Sequence, residues 1–445
     1  MSKTSQTLEL LRHYESRNVT FQESDRSWPI VWERAKGVHV WDPEGTRYLD
    51  LTAAFGVAAA GHANPRVVAA GRSQMGKLLH AMGDVHPHPI KAQLARELSR
   101  ITFERWTSRT PEGFRSRISP TRGKTIFCNS GFEAVEAALK TAILSTRKRD
   151  IVAFQHGYHG LGYGALNVTY RDHFRGPFCP QLGKFGHFVS FPTSPGELDK
   201  TESEIQKLFR RRAIGAVLVE PIQVRGGVNI PPSEFLPLLR RICDEHGALL
   251  ILDEIYTGFG RSGTWFACEH SNTTPDLICL GKALAGGFPI SACIGPAGVM
   301  DAAWPASTGE AIHTSTFLGH PVGCAMALAQ IRELKSKGLI LRSARLGVYL
   351  RETLAALNSQ FADLTISVRG SGLMVGAELR LRDGSPATAF ALRAIKQMLR
   401  RGYILLPEGE HANVISFTPP LTISKRQLHQ AVRVLAEVLH EIAER

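Results

Sequence analysis

The stretch that decides the fold runs from Ala248 to Leu284, ALLILDEIYTGFGRSGTWFACEHSNTTPDLICLGKAL. It opens on a continuous apolar run, Leu249-Leu250-Ile251-Leu252, that stops at Asp253-Glu254. Such a run reads as a parallel strand buried on both faces, with acids at its carboxyl end. In open α/β sheets that edge is where ligands bind. A glycine-studded loop follows, then a second short apolar run, Leu277-Ile278-Cys279-Leu280, closing on Gly281-Lys282. A lysine just past a buried strand, with glycines beside it, can come close to a flat ligand. Singly, the two residues read as well as a strand-end acid and a surface lysine.

Outward from this stretch the pattern repeats. Toward the N-terminus, strands are expected at Thr125 to Cys128, Ile151 to Phe154 and Ile214 to Val219. Helices are expected at Phe132 to Arg147, Thr201 to Arg212 and Pro232 to His246. Strands alternating with helices mean a mostly parallel, doubly wound sheet. Further upstream, Pro89 to Thr102 is an amphipathic helix, with Ile90, Leu94, Leu98 and Ile101 at helical spacing. GVHVWDPEGTRYLDL reads as a hairpin turning at Asp42-Pro43-Glu44-Gly45. Downstream, a long helix from Pro321 to about Lys337 leaves the sheet region. The remainder reads as α+β, with strands near Ser367 to Leu379 and Asn413 to Phe417 and helices near Ala387 to Arg401 and Ser424 to Glu444. The expected division is an N-terminal segment with part of a small domain over 1–75, a large domain over 76–335 and a C-terminal small domain over 336–445. The small domain combines both chain ends.

Composition narrows the function classes. Apolar residues make up 43% of the 445 and charged residues 21%, a globular balance. No apolar run is long enough to span a bilayer, so no membrane partner is expected. The N-terminus lacks the apolar core of a signal peptide. Seven cysteines are scattered singly with no CxxC pair, which points to reduced thiols in the cytoplasm and to no metal site. The net charge of +13 raises nucleic-acid binding as a possibility. The densest basic stretch, Arg105 to Lys124, reads as a polar surface loop, and Arg210-Arg211-Arg212 and Arg400-Arg401 lie near helix ends that favour cations. The charge is therefore read as solvated surface, with no nucleic-acid partner.

DEIYTGFGRSG followed by PDLICLGKALAGGFPI resembles the cofactor-lysine region of class III aminotransferases, ornithine- and 4-aminobutyrate-aminotransferase-like enzymes of the aspartate-aminotransferase fold. The likeness runs from about Trp32 to the C-terminus. It implies pyridoxal 5′-phosphate (PLP) as cofactor and fold type I. It also implies amino transfer from an amine or amino acid to an oxo acid or aldehyde through a Schiff base on Lys282. Lysine condenses with the PLP aldehyde and, once released, serves as general acid and base. Asp253 would pair with the pyridine nitrogen and keep it protonated.

The resemblance extends to the rest of the site. Ser130 and Gly131 lie where a strand turns into a helix, a place whose free N–H groups bind phosphate but which is more often only a cap. The likeness makes it the phosphate cup, with Phe132 standing where many relatives carry a smaller or hydroxyl residue. Tyr158 matches the aromatic ring that stacks on the cofactor, and Ile255 the aliphatic residue on its opposite face. Thr316 matches the threonine that reaches a neighbouring subunit's phosphate, implying a homodimer with shared active sites.

Three positions depart from the pattern. Tyr256 stands where many relatives have a glutamine against the cofactor's phenolic oxygen. Arg225 replaces the glutamate, and Ser416 the arginine, that pair as a gate in ornithine-type relatives. Arg225 and Ser416 are thus the substrate-side candidates, Arg225 pointing either to the pocket or to solvent. The missing arginine keeps a second chemistry open, a racemase, epimerase or lyase using the same cofactor and lysine. A DNA-binding regulator on this fold is a poorer reading, because about 30 N-terminal residues are too few for a winged helix.

Overall fold

The computed structural model describes residues 1–25, 27–108 and 121–444. Its centre is a seven-stranded sheet in the order Gly123–Cys128, Ser291–Pro296, Leu277–Leu280, Leu249–Asp253, Ile214–Val219, Asp150–Phe154, Gly186–Val189. Neighbours from Leu277–Leu280 to Gly186–Val189 run parallel, and Ser291–Pro296 is antiparallel to both strands beside it. The middle strands are apolar throughout because helices cover both faces: every residue of Ile214–Val219 is buried. Gly131–Thr146 packs one face through Ala134, Val135, Ala138 and Leu139. Phe235–His246 packs the other through Phe235, Leu236, Leu239 and Ile242 and stops at Gly247. Gly247 takes φ +58°, a left-handed position that a side chain disfavours and a helix end needs.

Two smaller sheets flank this body. His39–Trp41 and Arg47–Asp50 form the expected hairpin, closed by Gly45 N–H donating to the Asp42 carbonyl at 3.0 Å. Tyr403–Ile404 joins it in parallel register with Leu49 and Asp50, so the chain ends meet in one sheet. The second sheet, Leu364–Gly370, Val375–Leu381, Val414–Phe417 and Leu406–Glu408, is antiparallel throughout. The amphipathic helix Thr388–Arg400 packs beside it, and Lys425–Ala443, started by a Ser424–Gln427 capping box, packs on that helix.

The mostly parallel α/β expectation is therefore met, with local differences. One expected strand, Ser367 to Leu379, is two strands around a turn at Ser371–Met374. Ser291–Pro296 and Gly186–Val189 were not expected. The first is built of small residues between prolines and the second is a four-residue edge, so neither shows a β-branched signature. Helix Leu339–Ala355 was also not expected. In the basic stretch from Arg105 to Lys124, Arg105 lies in helix Phe103–Thr107 and pairs with Glu269. Residues 109–120 of that stretch lie outside the described residues.

Candidate active site

The carboxyl ends of the central strands open into a cavity of about 570 Å3. Lys282 follows Leu277–Leu280 directly, at φ +40°, a backbone position that costs an L-residue energy and is held here by the packed strand ends. Its Nζ lies 4.3 Å from the centroid of the Tyr256 ring. Burial pulls the Lys282 ammonium below its ordinary range, while Asp253 and Glu220 oppose the shift and Arg225 adds to it. A lysine so placed has a larger neutral fraction than one in water.

Asp253 ends its strand almost fully buried. One oxygen accepts from Ile255 N–H at 3.1 Å, and the other lies 2.8 Å from His159 Nδ1. Burial would lower His159, but the hydrogen bond and charge of Asp253, helped by Glu220, raise it overall. Glu220 accepts from Tyr158 N–H at 2.8 Å and is pushed up to about 7, chiefly by burial. His159 Nε2 is buried without a partner among the described residues. Two acids and an imidazole thus share one buried corner.

Gly123–Cys128 runs into helix Gly131–Thr146, whose first residues Gly131 and Phe132 line the cavity. Glu133 accepts from Asn129 and Ser130 N–H at 2.6 and 3.2 Å, which ties down the entry to the helix. Ser291 Oγ donates to the Ser130 carbonyl at 2.5 Å. Ser130 Oγ itself is buried and unpartnered among the described residues. Gly131 packs against Ile255, and a Cβ there would stand 3.1 Å from Ile255 Cδ1. Phe132, Tyr158, Ile255 and Tyr256 line the same cavity. Tyr256 is buried, its hydroxyl 3.3 Å from Thr418 Oγ1, and burial pushes its phenol up to about 12. Three successive left-handed residues, Ala53, Ala54 and Phe55, bring Phe55 to the cavity wall.

The substrate-side candidates separate. Arg225 lines the cavity with its guanidinium 5.8 Å from the centroid of the Tyr158 ring, so it does not simply point to solvent. Its Nη1 lies 3.2 Å from Glu408 Oε2. Ser416 is buried in Val414–Phe417, opposite Gly376 and Leu406, and does not line the cavity. Thr316 lies outside the cavity on an exposed segment.

The family model described as "Aminotransferase class-III" matches residues 20–439. The chain belongs to the class III aminotransferases. The acetylornithine aminotransferase of Methanosarcina mazei is 36% identical over 92% of this chain and 91% of its own. The 5-aminovalerate aminotransferase of Pseudomonas aeruginosa is 35% identical over 93% of this chain and 94% of its own. An amine transaminase from an uncultivated Pseudomonas species, solved in its PLP-bound form, superposes with a TM-score of 0.85 at 27% identity, over 96% of this chain and 98% of that one. This chain is accordingly a PLP-dependent transaminase of fold type I, and racemisation or elimination is not favoured.

The residues present fit the cofactor on three independent counts. Ser130 Oγ is an orphaned buried hydroxyl at a helix start, where N–H groups lack intrahelical acceptors. Gly131 and Gly281 bring backbone against Ile255 where a Cβ would crowd. A buried carboxylate and a lysine amine face the same cavity. Sequence reasoning missed His159, Glu220 and Glu408. His159 directly follows Tyr158, and Glu220 directly follows the apolar run Ile214 to Val219, so both had a local signal. Glu408 had none.

Proposed function

We propose that Lys282, Asp253 and the Ser130–Phe132 turn are the working groups of an amino transfer between a carboxylate-bearing amine and an oxo acid. The supporting observation is their convergence on one cavity from three separate strand ends. When bound, PLP supplies the electron sink that lets a bond at the amine-bearing carbon break. Lys282 Nζ, its basicity lowered by burial, takes the proton released at that carbon and returns it. Asp253 places a fixed negative charge where a ring cation needs it, and His159 holds that carboxylate in orientation at 2.8 Å. Ser130 Oγ and the N–H groups of Gly131 and Phe132 offer donors to a phosphate. Tyr158 and Ile255 line the cavity and would confine a flat ring, and Tyr256 stands beside Lys282. Ser416, outside the cavity, takes no direct part in this reading.

Arg225 is the substrate's carboxylate grip in this reading. It lines the cavity, and Nε and Nη2 have no acceptor among the described residues. Acetylornithine and 5-aminovalerate, the compounds named for the two relatives, each carry an amine and a carboxylate. We further propose a homodimer with shared sites. Leu79, Met82 and Val85 on one segment and Ile312 and Phe317 on another expose large apolar side chains. Thr314 donates to Asp84 at 2.7 Å between these segments. Thr316 lies on this surface, where a second copy would bury it. Cytoplasmic residence is supported by the seven free cysteines, six of them buried.

The half-reaction tests transamination. The holoenzyme is mixed with 5-aminovalerate or another ω-amino acid and no acceptor. A lasting change in cofactor absorbance, reversed by 2-oxoglutarate, is expected. Absorbance that recovers without an acceptor, with inversion or loss of the donor, would refute it. For the grip, Arg225→Lys should raise KM for carboxylated donors by about 10- to 150-fold and spare amines lacking a carboxylate, with kcat nearly unchanged.

A further inference from the structure

Position 256 departs from the family pattern, and the proposed mechanism leaves its side chain without a task. Tyr256 lines the cavity and is 8% exposed. Its hydroxyl lies 3.3 Å from Thr418 Oγ1, and Thr418 donates its own hydrogen to the Thr52 carbonyl at 3.1 Å. The Tyr256 hydroxyl is therefore the donor to Thr418. Gly56 lies against the ring edge, where a Cβ would meet Tyr256 Cε1 at 2.8 Å. With its oxygen and one edge both held, the ring keeps a single orientation. What it presents to Lys282 is its face, with Nζ 4.3 Å from the ring centroid.

The face of an aromatic ring carries negative charge density and attracts an ammonium at this distance. The other influences on Lys282 are burial, which disfavours its cation, Asp253, Glu220 and Glu408, which favour it, and Arg225, which opposes it. Burial pushes the Tyr256 phenol up to about 12, so the ring stays uncharged at any working pH. That matters for a lysine that takes a proton and then returns it. A further carboxylate at this place would hold Lys282 protonated. An uncharged ring attracts the lysine only while it is cationic and releases it once it is neutral.

Building on the reading of Lys282 as the proton carrier, we propose that Tyr256 is the positioning residue for that step, its ring face receiving the Lys282 ammonium and keeping Nζ in place while the lysine carries the proton. The role belongs to the ring and not to the hydroxyl. The phenol hydrogen is already donated to Thr418, so it is not offered to the cofactor's oxygen as the glutamine amide of relatives would be. Position 256 acts here on the lysine.

Lys282 can be read without turnover. Trace acetic anhydride acylates only neutral amines, so Lys282 labelling of the cofactor-free chain against pH, followed by mass spectrometry, gives the midpoint of its titration. Tyr256→Leu and the longer Tyr256→Met should lower that midpoint by about one pH unit, while Tyr256→Phe should keep it. Packing that merely loosened would admit water and raise the midpoint, so the direction separates the two roles. In the holoenzyme, the saturating rate of the donor half-reaction should fall about tenfold in Tyr256→Leu with half-saturation unchanged, and Tyr256→Phe should recover most of it. Bound PLP should protect Lys282 from labelling in every one of these proteins. Labelling that ignores PLP would mean that Lys282 is not the cofactor lysine, and the role of Tyr256 falls with that reading. Protection by PLP, with a midpoint that Tyr256→Leu and Tyr256→Met leave in place or raise, refutes the role of Tyr256 alone. So does a Tyr256→Phe midpoint that falls with theirs, since the hydroxyl would then be the working group. Should Tyr256→Leu not fold, Tyr256→Met and Tyr256→Phe still decide.

Discussion

Asp253→Asn tests the buried corner of the site through stability as well as activity. In the intact protein, Asp253 and His159 side chains are 5% and 1% exposed and lie 2.8 Å apart. Breaking a buried pair by neutralising one partner leaves an uncompensated charge, a loss of about 3–5 kcal/mol. The loss depends on pH, because the pair stabilises only while His159 is protonated. Its pKa in the folded protein lies above the ordinary 6.5. The contribution is therefore complete below about 6.5 and fades as pH rises through the folded value. Urea unfolding of the cofactor-free protein, followed by tryptophan fluorescence, should show the full deficit near pH 6 and a smaller one above pH 8. His159→Asn supplies the other arm of a cycle. The double variant should be more stable than the sum of the single effects allows, because each single change damages the same contact. Additive losses, or a deficit that grows with pH, would refute the assignment of a protonated His159 held by Asp253. Amino transfer should fall in Asp253→Asn even where the protein remains folded, since the fixed negative charge is gone.

Other expectations can be checked alongside it. Lys282→Ala should abolish turnover while leaving a folded chain that still binds cofactor through the Ser130–Phe132 turn; residual amino transfer would point to another lysine. Thr316→Ala should weaken cofactor retention by about 1.5–3 kcal/mol, the loss of one hydrogen bond to a charged group. Heterodimers of Lys282→Ala with Thr316→Ala subunits should regain one site of wild-type affinity, whereas two singly damaged sites would mean that Thr316 acts within its own subunit. Gly56→Ala should destabilise the protein by about 1–3 kcal/mol, because Gly56 takes φ +80° and a Cβ there would meet Tyr256 Cε1 at 2.8 Å. A thermal midpoint unchanged in that variant would show that the 53–56 turn yields without cost.

Much of the fold was legible because its signals are local. Leu249–Asp253 and Ile214–Val219 are buried on both faces, so their apolar runs are continuous and need no distant partner to be recognised. Ser291–Pro296 escapes the same reading because its place is set by neighbours on both sides. Its pairing with Phe127 and Ile278 brings strands from opposite ends of the large sheet region together, and its own residues carry little β preference. The site divides along the same line. Lys282 and Asp253 sit at strand ends, and strand ends can be found from hydrophobic runs.

The Arg225–Glu408 pair shows where such reading stops. Its members are 183 positions apart, and one of them ends a strand of only three residues. Nothing periodic marks Glu408, whereas Arg225 was noticed because it departs from a family pattern at a strand end. The sequence reading marked position 416, on Val414–Phe417, as a serine where relatives carry an arginine, and named no partner for Arg225. The structure places that partner at position 408, on the strand paired with Val414–Phe417. Ser416 and Glu408 occupy neighbouring strands of one small sheet, but the anion at 408 does not stand in for the cation that relatives carry at 416. Folding constrains only that a buried charge be matched. Which strand supplies the match is free to vary, and therefore cannot be read from either residue alone.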